Sequence, residues 1–419
     1  SCDGLAFSQC KRTSFLWSSP RPAPFNLLLS ISILFHFPPE GSHCKAIMNG
    51  LPHLLLVVGV FSICKANATP PTMRAYVATA TTAGRTSTSI YTPNFPMPTL
   101  GELHKIYSDL PTPSCEVLIR VSASSINPSD VTPSISNTLL PHVMGSDVAG
   151  TVLRVQAFPT SSTTTTCRVQ PGDRVYGDIG ANTHTLQGEK TKELGAYAEY
   201  VVALDTQLAL VPTAMDFLEA AALPKVALTS IKAIALYGGG RNASFQGSTV
   251  LVLGGSGGTG TTGIQLVKYF GATNITTTTS SANTAYCLAL GATRVIDYHA
   301  QDWWDPTVNP DNTYDFVYDT VGQDGTGNRA MRVLKPGGYY VTITGQLATV
   351  PKPGVTQSMF INSDTNLNSW ALMDELAHIS GLHQLRMPRL SSPYALNNVS
   401  KAFAESEKGH VVGKLIVSI

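Results

Sequence analysis

The chain reads as α/β, with a β-rich first domain followed by a doubly wound parallel sheet. Before residue 211, short apolar stretches are separated by Pro and Gly turns, whereas after Val250 strand-length apolar runs alternate with runs of helical spacing. The clearest junction is Val250-Leu251-Val252-Leu253, which leads into Gly255-Ser256-Gly257-Gly258-Thr259-Gly260. Beyond it, Ile264, Val267 and Tyr269-Phe270 return at helical intervals.

Taken in order, Met73 to Ala80 alternates like a strand, and Glu116 to Val121 is a stronger strand with β-branched residues on both sides of Leu118. Val148 to Val155, Arg174 to Tyr176 and Ala198 to Val202 continue the series, punctuated at Pro128, Pro141, Pro171-Gly172 and Gly195. Many short strands with such turns suggest a partly open barrel. The tract Ser161 to Thr166 is low in complexity and reads as a solvated loop. Near Val211-Pro212 the texture changes, and Glu219 to Leu223 and Ala227 to Tyr237 have helix-forming composition. The alternation then runs Val250–Leu253 (strand), a helix to Phe270, Ile275–Thr279 (strand), a helix through Leu290, and the strands Arg294–Asp297, Phe316–Asp319 and Tyr339–Ile343. Such spacing implies a parallel sheet covered on both faces. Val411 to Val417 is a final strand signal.

A strand, a glycine turn and a helix in that order set backbone N–H groups and a helix N-terminus against a pyrophosphate. Glycine-rich turns also occur for purely structural reasons, but the flanking strand and helix favour a dinucleotide. An NAD site usually places an acid about 20 residues past the glycines to hold the ribose 2′-OH. No Asp or Glu lies between Gly260 and Arg294, and Ser280-Ser281-Ala282-Asn283 follows the next strand. Hydroxyl and amide donors can hold a 2′-phosphate without repelling it, so NADP(H) is expected over NAD(H). No Arg or Lys stands at that strand end to strengthen the expectation.

Composition narrows the class. With 28 Lys and Arg against 27 Asp and Glu, the net charge of +1 leaves no electrostatic footprint for nucleic acid. No run of 18 apolar residues suggests a membrane span. The first methionine is Met48, and residues 1–47 are rich in Ser and Pro. Residues 48–68 resemble a secretory signal peptide without Lys or Arg in its leading segment. The compartment expected is therefore the secretory pathway if that segment acts as a signal, and otherwise the cytoplasm. Beyond Ala68 only Cys115, Cys167 and Cys287 remain, too widely spaced to predict a disulfide framework. Asn242, Asn274 and Asn398 head N-x-S/T triplets that matter only in the secretory pathway.

Further segments carry a family resemblance. They are Asn127-Pro128-Ser129-Asp130, Pro141 through Gly150, Pro171 through Val175, Gly195 through Tyr200, Leu223-Pro224 with Leu228-Thr229, and Leu290-Gly291-Ala292 leading to Val295 through Tyr298. Leu334 through Gly338 and Gly413-Lys414 close the set. In this order they resemble the medium-chain dehydrogenase/reductase superfamily, in its zinc-free quinone oxidoreductase and enoyl reductase branch, from Met73 to Ile419. The resemblance implies an extension over 1–72, a GroES-like β-barrel domain over 73–210, a Rossmann NADP-binding domain over 211–360, and a segment over 361–419 that returns to the first domain.

It also implies roles. Zinc relatives use a Cys, a Gly-His-Glu and a second Cys; here Asn127 and Gly145-Ser146-Asp147 stand instead, and Lys225 to Thr229 contains no Cys. The four cysteines of the structural zinc lobe are absent, and His142 and His184 are isolated, so no zinc is expected. Polarisation of the substrate then falls to hydrogen-bond donors, Asn127 foremost, with Asp130 orienting the local backbone. A turn role for Asn127 beside Pro128 is the competing reading. Thr132 stands where quinone oxidoreductases often carry a Tyr, which leaves the proton donor unassigned. Thr229 is expected beside the nicotinamide, Gly255, Ser256, Gly257, Gly258, Thr259 and Gly260 around the pyrophosphate, and Ser280, Ser281, Asn283 and Tyr298 around the 2′-phosphate. Gly345 and Lys414 are expected as late cofactor contacts, and Asp297 and Asp319 as structural residues. The implied activity is NADPH-dependent reduction of a small quinone or α,β-unsaturated carbonyl, in a chain that relatives suggest forms a homodimer. A non-catalytic NADPH-binding redox sensor or scaffold is the alternative.

Overall fold

A computed structural model describes residues 71–82, 85–106, 114–131, 140–158, 165–180, 195–239, 245–343, 346–360, 362 and 369–419. The signal-like segment, His184, Thr132 and Gly345 lie outside them.

The β-rich half is organised around one long strand. Strands β1 (Thr72–Thr82), β2 (Arg85–Pro96) and a short helix α1 (Glu102–Ile106) precede β3 (Ser114–Ser125). Val117, Ile119 and Val121 on one face of β3 and Leu118 on the other are all buried, which explains its strong sequence signal. After a single helical turn α2 (Pro128–Val131) come β4 (His142–Val143), β5 (Asp147–Phe158), β6 (Arg174–Asp178), β7 (Tyr200–Leu204) and β8 (Leu208–Leu210). One edge of β3 pairs antiparallel with β5 and the other with β7, while β5 pairs in turn with β6 and β6 with β8. The β5–β6 register sets Asp147 directly opposite Asp178.

Cys115 at the head of β3 is bonded to Cys167, with Cα atoms 5.6 Å apart. This corrects the expectation of no disulfide: the chain folds back through β5 and brings together two cysteines 52 positions apart in sequence. Cys287 is free and buried.

Helices α3 (Phe217–Ala222) and α4 (Pro224–Lys232) open the second half, and α4 runs on into a π-turn over Ala233–Tyr237. Then follow β9 (Thr249–Leu253), α5 (Gly258–Tyr269), β10 (Asn274–Thr279), α6 (Thr284–Leu290), β11 (Arg294–Asp297), β12 (Tyr314–Asp319), α7 (Thr326–Val333), β13 (Leu334–Thr342) and β14 (Thr356–Met359). They form a six-stranded parallel sheet in the order β11-β10-β9-β12-β13-β14. The order reverses direction at β9, so the crevice outside its carboxyl end is the expected ligand position. Thr276 to Thr279 are buried despite their hydroxyls, and Thr277 resolves its own by donating to the Val252 carbonyl at 2.7 Å. Asp319 accepts from Tyr340, Thr342 and two backbone amides, a structural role as expected.

The chain ends with α8 (Trp370–Gly381), β15 (Tyr394–Ala395), α9 (Val399–Glu407) and β16 (Ile416–Ser418). Strand structure in the tail starts at Ile416, later than the expected Val411, because Gly413 adopts φ +70° and turns the chain. β16 pairs with β3, Ile416 opposite Ser125, so the last strand returns to the first sheet. No helix among the described residues is long and apolar enough to cross a membrane.

Candidate active site

The glycine turn is built for close approach. Gly254 takes φ +78° and ends β9, while its N–H and that of Gly255 are held by Thr278 on β10. A Cβ at Gly255 would lie 2.0 Å from Thr277 Oγ1, and one at Gly260 2.1 Å from the Gly254 carbonyl oxygen. Neither position takes a side chain unless the turn shifts. Gly257 differs: it is the N-cap of α5 at φ −73°, and a Cβ there would meet only the Gly254 oxygen at 3.5 Å. The turn thus leaves room at the helix N-terminus, the geometry a pyrophosphate needs. Ser256 is anchored by Thr279, whose hydroxyl donates to Ser256 Oγ at 2.8 Å.

At the end of β10 the three polar residues expected around a 2′-phosphate stand together. Ser281 is exposed, and Asn283 donates to Ser280 Oγ at 3.1 Å. Tyr298 is half exposed, and its backbone N–H is 3.3 Å from the Thr279 carbonyl. The cation missing from this stretch of sequence arrives from elsewhere. Arg389 donates to Asn283 Oδ1 at 3.2 Å, and its guanidinium lies 5.3 Å from the Tyr286 ring centre. Among the described residues no carboxylate pairs with Arg389, whereas neighbouring Arg386 is bound to Glu219.

Beside the glycine turn is a buried polar network centred on Asn127, itself 3% exposed. Its Nδ2 stands 2.8 Å from Asp147 Oδ2, 3.1 Å from Asp130 Oδ2 and 3.3 Å from Ser146 Oγ. Its Oδ1 accepts from Lys414 Nζ at 2.6 Å. Two N–H groups facing three acceptors leave none for a substrate, so the amide is a structural hub in this arrangement. Asp130 does orient the backbone, accepting from the Asn127 N–H at 2.9 Å, and it also takes the Ser146 hydroxyl and faces the Tyr197 hydroxyl at 3.0 Å. Burial pushes the Asp130 carboxyl up, against the opposing pull of Lys225.

Lys414, expected as a late cofactor contact, runs its stem past the glycine turn, with Cδ 3.1 Å from a Cβ built at Gly258, and turns its ammonium into the network. Its ammonium reaches Asn127, the Ile126 carbonyl at 2.9 Å and Asp147 at 3.5 Å, a partner set that only a fully buried cation requires. Burial lowers its pKa while Asp147 and Asp130 oppose that shift.

Lys225 and Asp178 were not singled out by the sequence. Lys225 is the second residue of α4; its N–H donates to Asp147 Oδ1 at 2.8 Å and its ammonium lies 3.1 Å from Asp178 Oδ1. Asn362 bridges the same corner, accepting from Lys232 Nζ at 2.7 Å and standing 3.4 Å from Asp178 Oδ2. Thr229, one turn along α4, donates to the Lys225 carbonyl at 2.7 Å. His142 is buried, with Nε2 unpartnered and a pKa pushed down to about 4 by burial, as suits a neutral core residue. No group of three or more metal-ligating side chains occurs among the described residues.

Comparison with known proteins agrees with this geometry. Residues 113–213 match the alcohol dehydrogenase GroES-like domain, and residues 290–417 match the zinc-binding dehydrogenase family. The chain is 33% identical over 311 residues to a 2-methylene-furan-3-one reductase of Solanum lycopersicum, covering 72% of this chain and 71% of that one. It is 31% identical to an NADPH-dependent alkenal/one oxidoreductase, chloroplastic, of Arabidopsis thaliana, covering 72% of each. A quinone oxidoreductase structure from Pseudomonas syringae superposes with a TM-score of 0.63 at 25% identity, covering 83% of this chain and all of that one. The chain belongs to the medium-chain dehydrogenase/reductase superfamily, in its quinone oxidoreductase and enoyl reductase-like branch. It is an oxidoreductase with a GroES-like part and a Rossmann-like parallel sheet.

Proposed function

We propose that the protein is an NADPH-dependent reductase of quinones or α,β-unsaturated carbonyls that works without zinc. The observation that carries this reading is the meeting of the glycine turn and the Asn127 network at Gly413-Lys414. Gly413 N donates to the Ser256 carbonyl at 2.9 Å while Lys414 Nζ holds Asn127, so a dinucleotide on the turn would lie against that network.

NADPH, when bound, supplies a hydride. The Gly255 to Gly260 turn and the N-terminus of α5 would hold its pyrophosphate, and Ser280, Ser281, Asn283, Tyr298 and Arg389 its 2′-phosphate. Thr229 would border the nicotinamide. Asn127 and Asp130 belong to the catalytic floor as positioning residues, since the Asn127 amide is already committed within the network. The absence of zinc chemistry is supported by the donor set: an amide at Asn127, a hydroxyl at Ser146 and an ammonium at Lys225 replace the thiolates and imidazole a zinc ion requires. The alkenal/one and furanone reductases among the relatives favour conjugated carbonyls.

An NADPH and NADH consumption screen over quinones, enones and enoyl thioesters tests the reading. Turnover preferring NADPH is expected. Tight NADPH binding without turnover on any acceptor would overturn it in favour of the redox sensor.

We further assign 73–210 to the substrate half, 211–360 to the cofactor half and 361–419 to the returning segment, with a homodimer as the assembly. The Cys115–Cys167 bridge supports the secretory branch of the expectation for 48–68 over the cytoplasmic one. Peptide mapping of non-reduced protein from its native source is expected to recover the linked Cys115 and Cys167 peptides; recovering both as free thiols would contradict the assignment.

A further inference from the structure

We propose that Lys225 is the proton donor of the reduction, and that the physiological acceptor is accordingly an α,β-unsaturated carbonyl. The inference rests on the reductase reading above and deepens it. Three observations place the role on this residue. Asn127, the donor expected from sequence, has its amide committed within the network, and Asp130 is itself occupied by Asn127, Ser146 and Tyr197.

Second, Lys225 occupies a position that local physics disfavours. An ammonium in the first turn of α4 faces the positive end of the helix dipole, and at 8% exposure it has also given up most of its water. Residues that break local rules at such cost concentrate at functional sites. Third, the surroundings can supply and restore a proton. Lys225 lies one turn before Thr229, the expected neighbour of the nicotinamide, and its ammonium is 3.1 Å from Asp178. Burial, opposed by Lys225 and reinforced by Asp147, pushes the Asp178 carboxyl up to about 6. A carboxyl in that range can take up or give up a proton near neutral pH. Lys414 and Lys232, the neighbouring ammonium groups, are more deeply sealed, Lys414 held by Asn127 and the Ile126 carbonyl and Lys232 by Asn362.

The step balances simply. A hydride from the reduced nicotinamide forms the new C–H bond at the β-carbon, and the C=C electron pair moves to the carbonyl oxygen. As charge develops there, a Lys225 N–H bond breaks and an O–H bond forms, giving an enol and a neutral amine. The enol tautomerises to the saturated carbonyl, and the amine, whose side chain keeps 10% exposure, recovers its proton from solvent once the product leaves. A quinone needs no such donor, because the hydroquinone anion takes its proton from water.

The test uses three measurements on the full chain. In Lys225→Met, enone turnover is expected to fall by about 100-fold or more, while NADPH affinity stays within about threefold. Lys225→Arg keeps the charge opposite Asp178 and so guards against simple misfolding, but a guanidinium does not release a proton. It too is expected to lose enone turnover. Independently of activity, 4-nitrophenol serves as an enolate mimic whose anion alone absorbs in the visible. Wild type and Lys225→Arg with oxidised cofactor are expected to stabilise the bound anion, and Lys225→Met is not. Enone turnover within about threefold of wild type in either variant, or equal anion stabilisation in Lys225→Met, would overturn the assignment. A wild type that turns over neither enones nor quinones would instead sink the reductase reading itself.

Discussion

Gly257→Val is expected to abolish NADPH binding without unfolding the protein. At φ −73° and with only the Gly254 oxygen 3.5 Å from a built Cβ, the backbone accepts a side chain there. The isopropyl group would fill the space at the N-terminus of α5 that a pyrophosphate needs. Losing two charge-assisted hydrogen bonds at about 1.5–3 kcal/mol each weakens binding by roughly 100-fold or more. Titration by Trp fluorescence, with thermal melting beside it, reads both halves of the expectation. Gly260→Ala provides the contrast, because its Cβ would lie 2.1 Å from the Gly254 oxygen and the turn itself must shift. That variant should lose about 1–3 kcal/mol of stability. Binding by Gly257→Val within about threefold of wild type would remove the pyrophosphate from this turn.

Arg389→Ala is expected to weaken NADPH by about 10- to 100-fold and to leave NADH unchanged, the value of one guanidinium–phosphate hydrogen bond. Arg389 is exposed, is positioned by Asn283 and the Tyr286 ring, and has no carboxylate to neutralise it among the described residues. Binding of 2′,5′-ADP against 5′-AMP isolates the contact from the nicotinamide and from turnover. Equal loss for both nucleotides would mean that Arg389 supports the adenosine and not the phosphate.

These two predictions differ in how far the sequence alone could have made them. The glycine turn was legible because its strand, turn and helix are contiguous, and the β9-to-β13 alternation was legible for the same reason. Arg389 was not, since it lies 106 residues from Asn283 and meets it only when the segment before β15 passes beside Gly413. The Asn127 network is assembled from β3, β5, α2, α4 and the returning tail, so no window of sequence contains it. Asn127 and Asp130 could be singled out, but not the saturation of the amide that removes it as a donor. Lys225 carried one local signal, a cation at the start of a helix, visible only once the helix boundary was known. The disulfide escaped for a related reason: cysteine spacing does not report where β5 folds back.

The Gly413-Lys414 dipeptide has a mechanical consequence. Its backbone is bonded to Ser256 on one side and to Arg389 on the other, its lysine stem passes a built Gly258 Cβ at 3.1 Å, and its ammonium ends on Asn127. One short stretch of backbone thus fastens the cofactor turn to the floor of the site. A second fastening is made by one side chain, Asn362, which ties Lys232, Asp178 and the Lys225 carbonyl, so the cofactor half is joined to the floor at two points by few bonds.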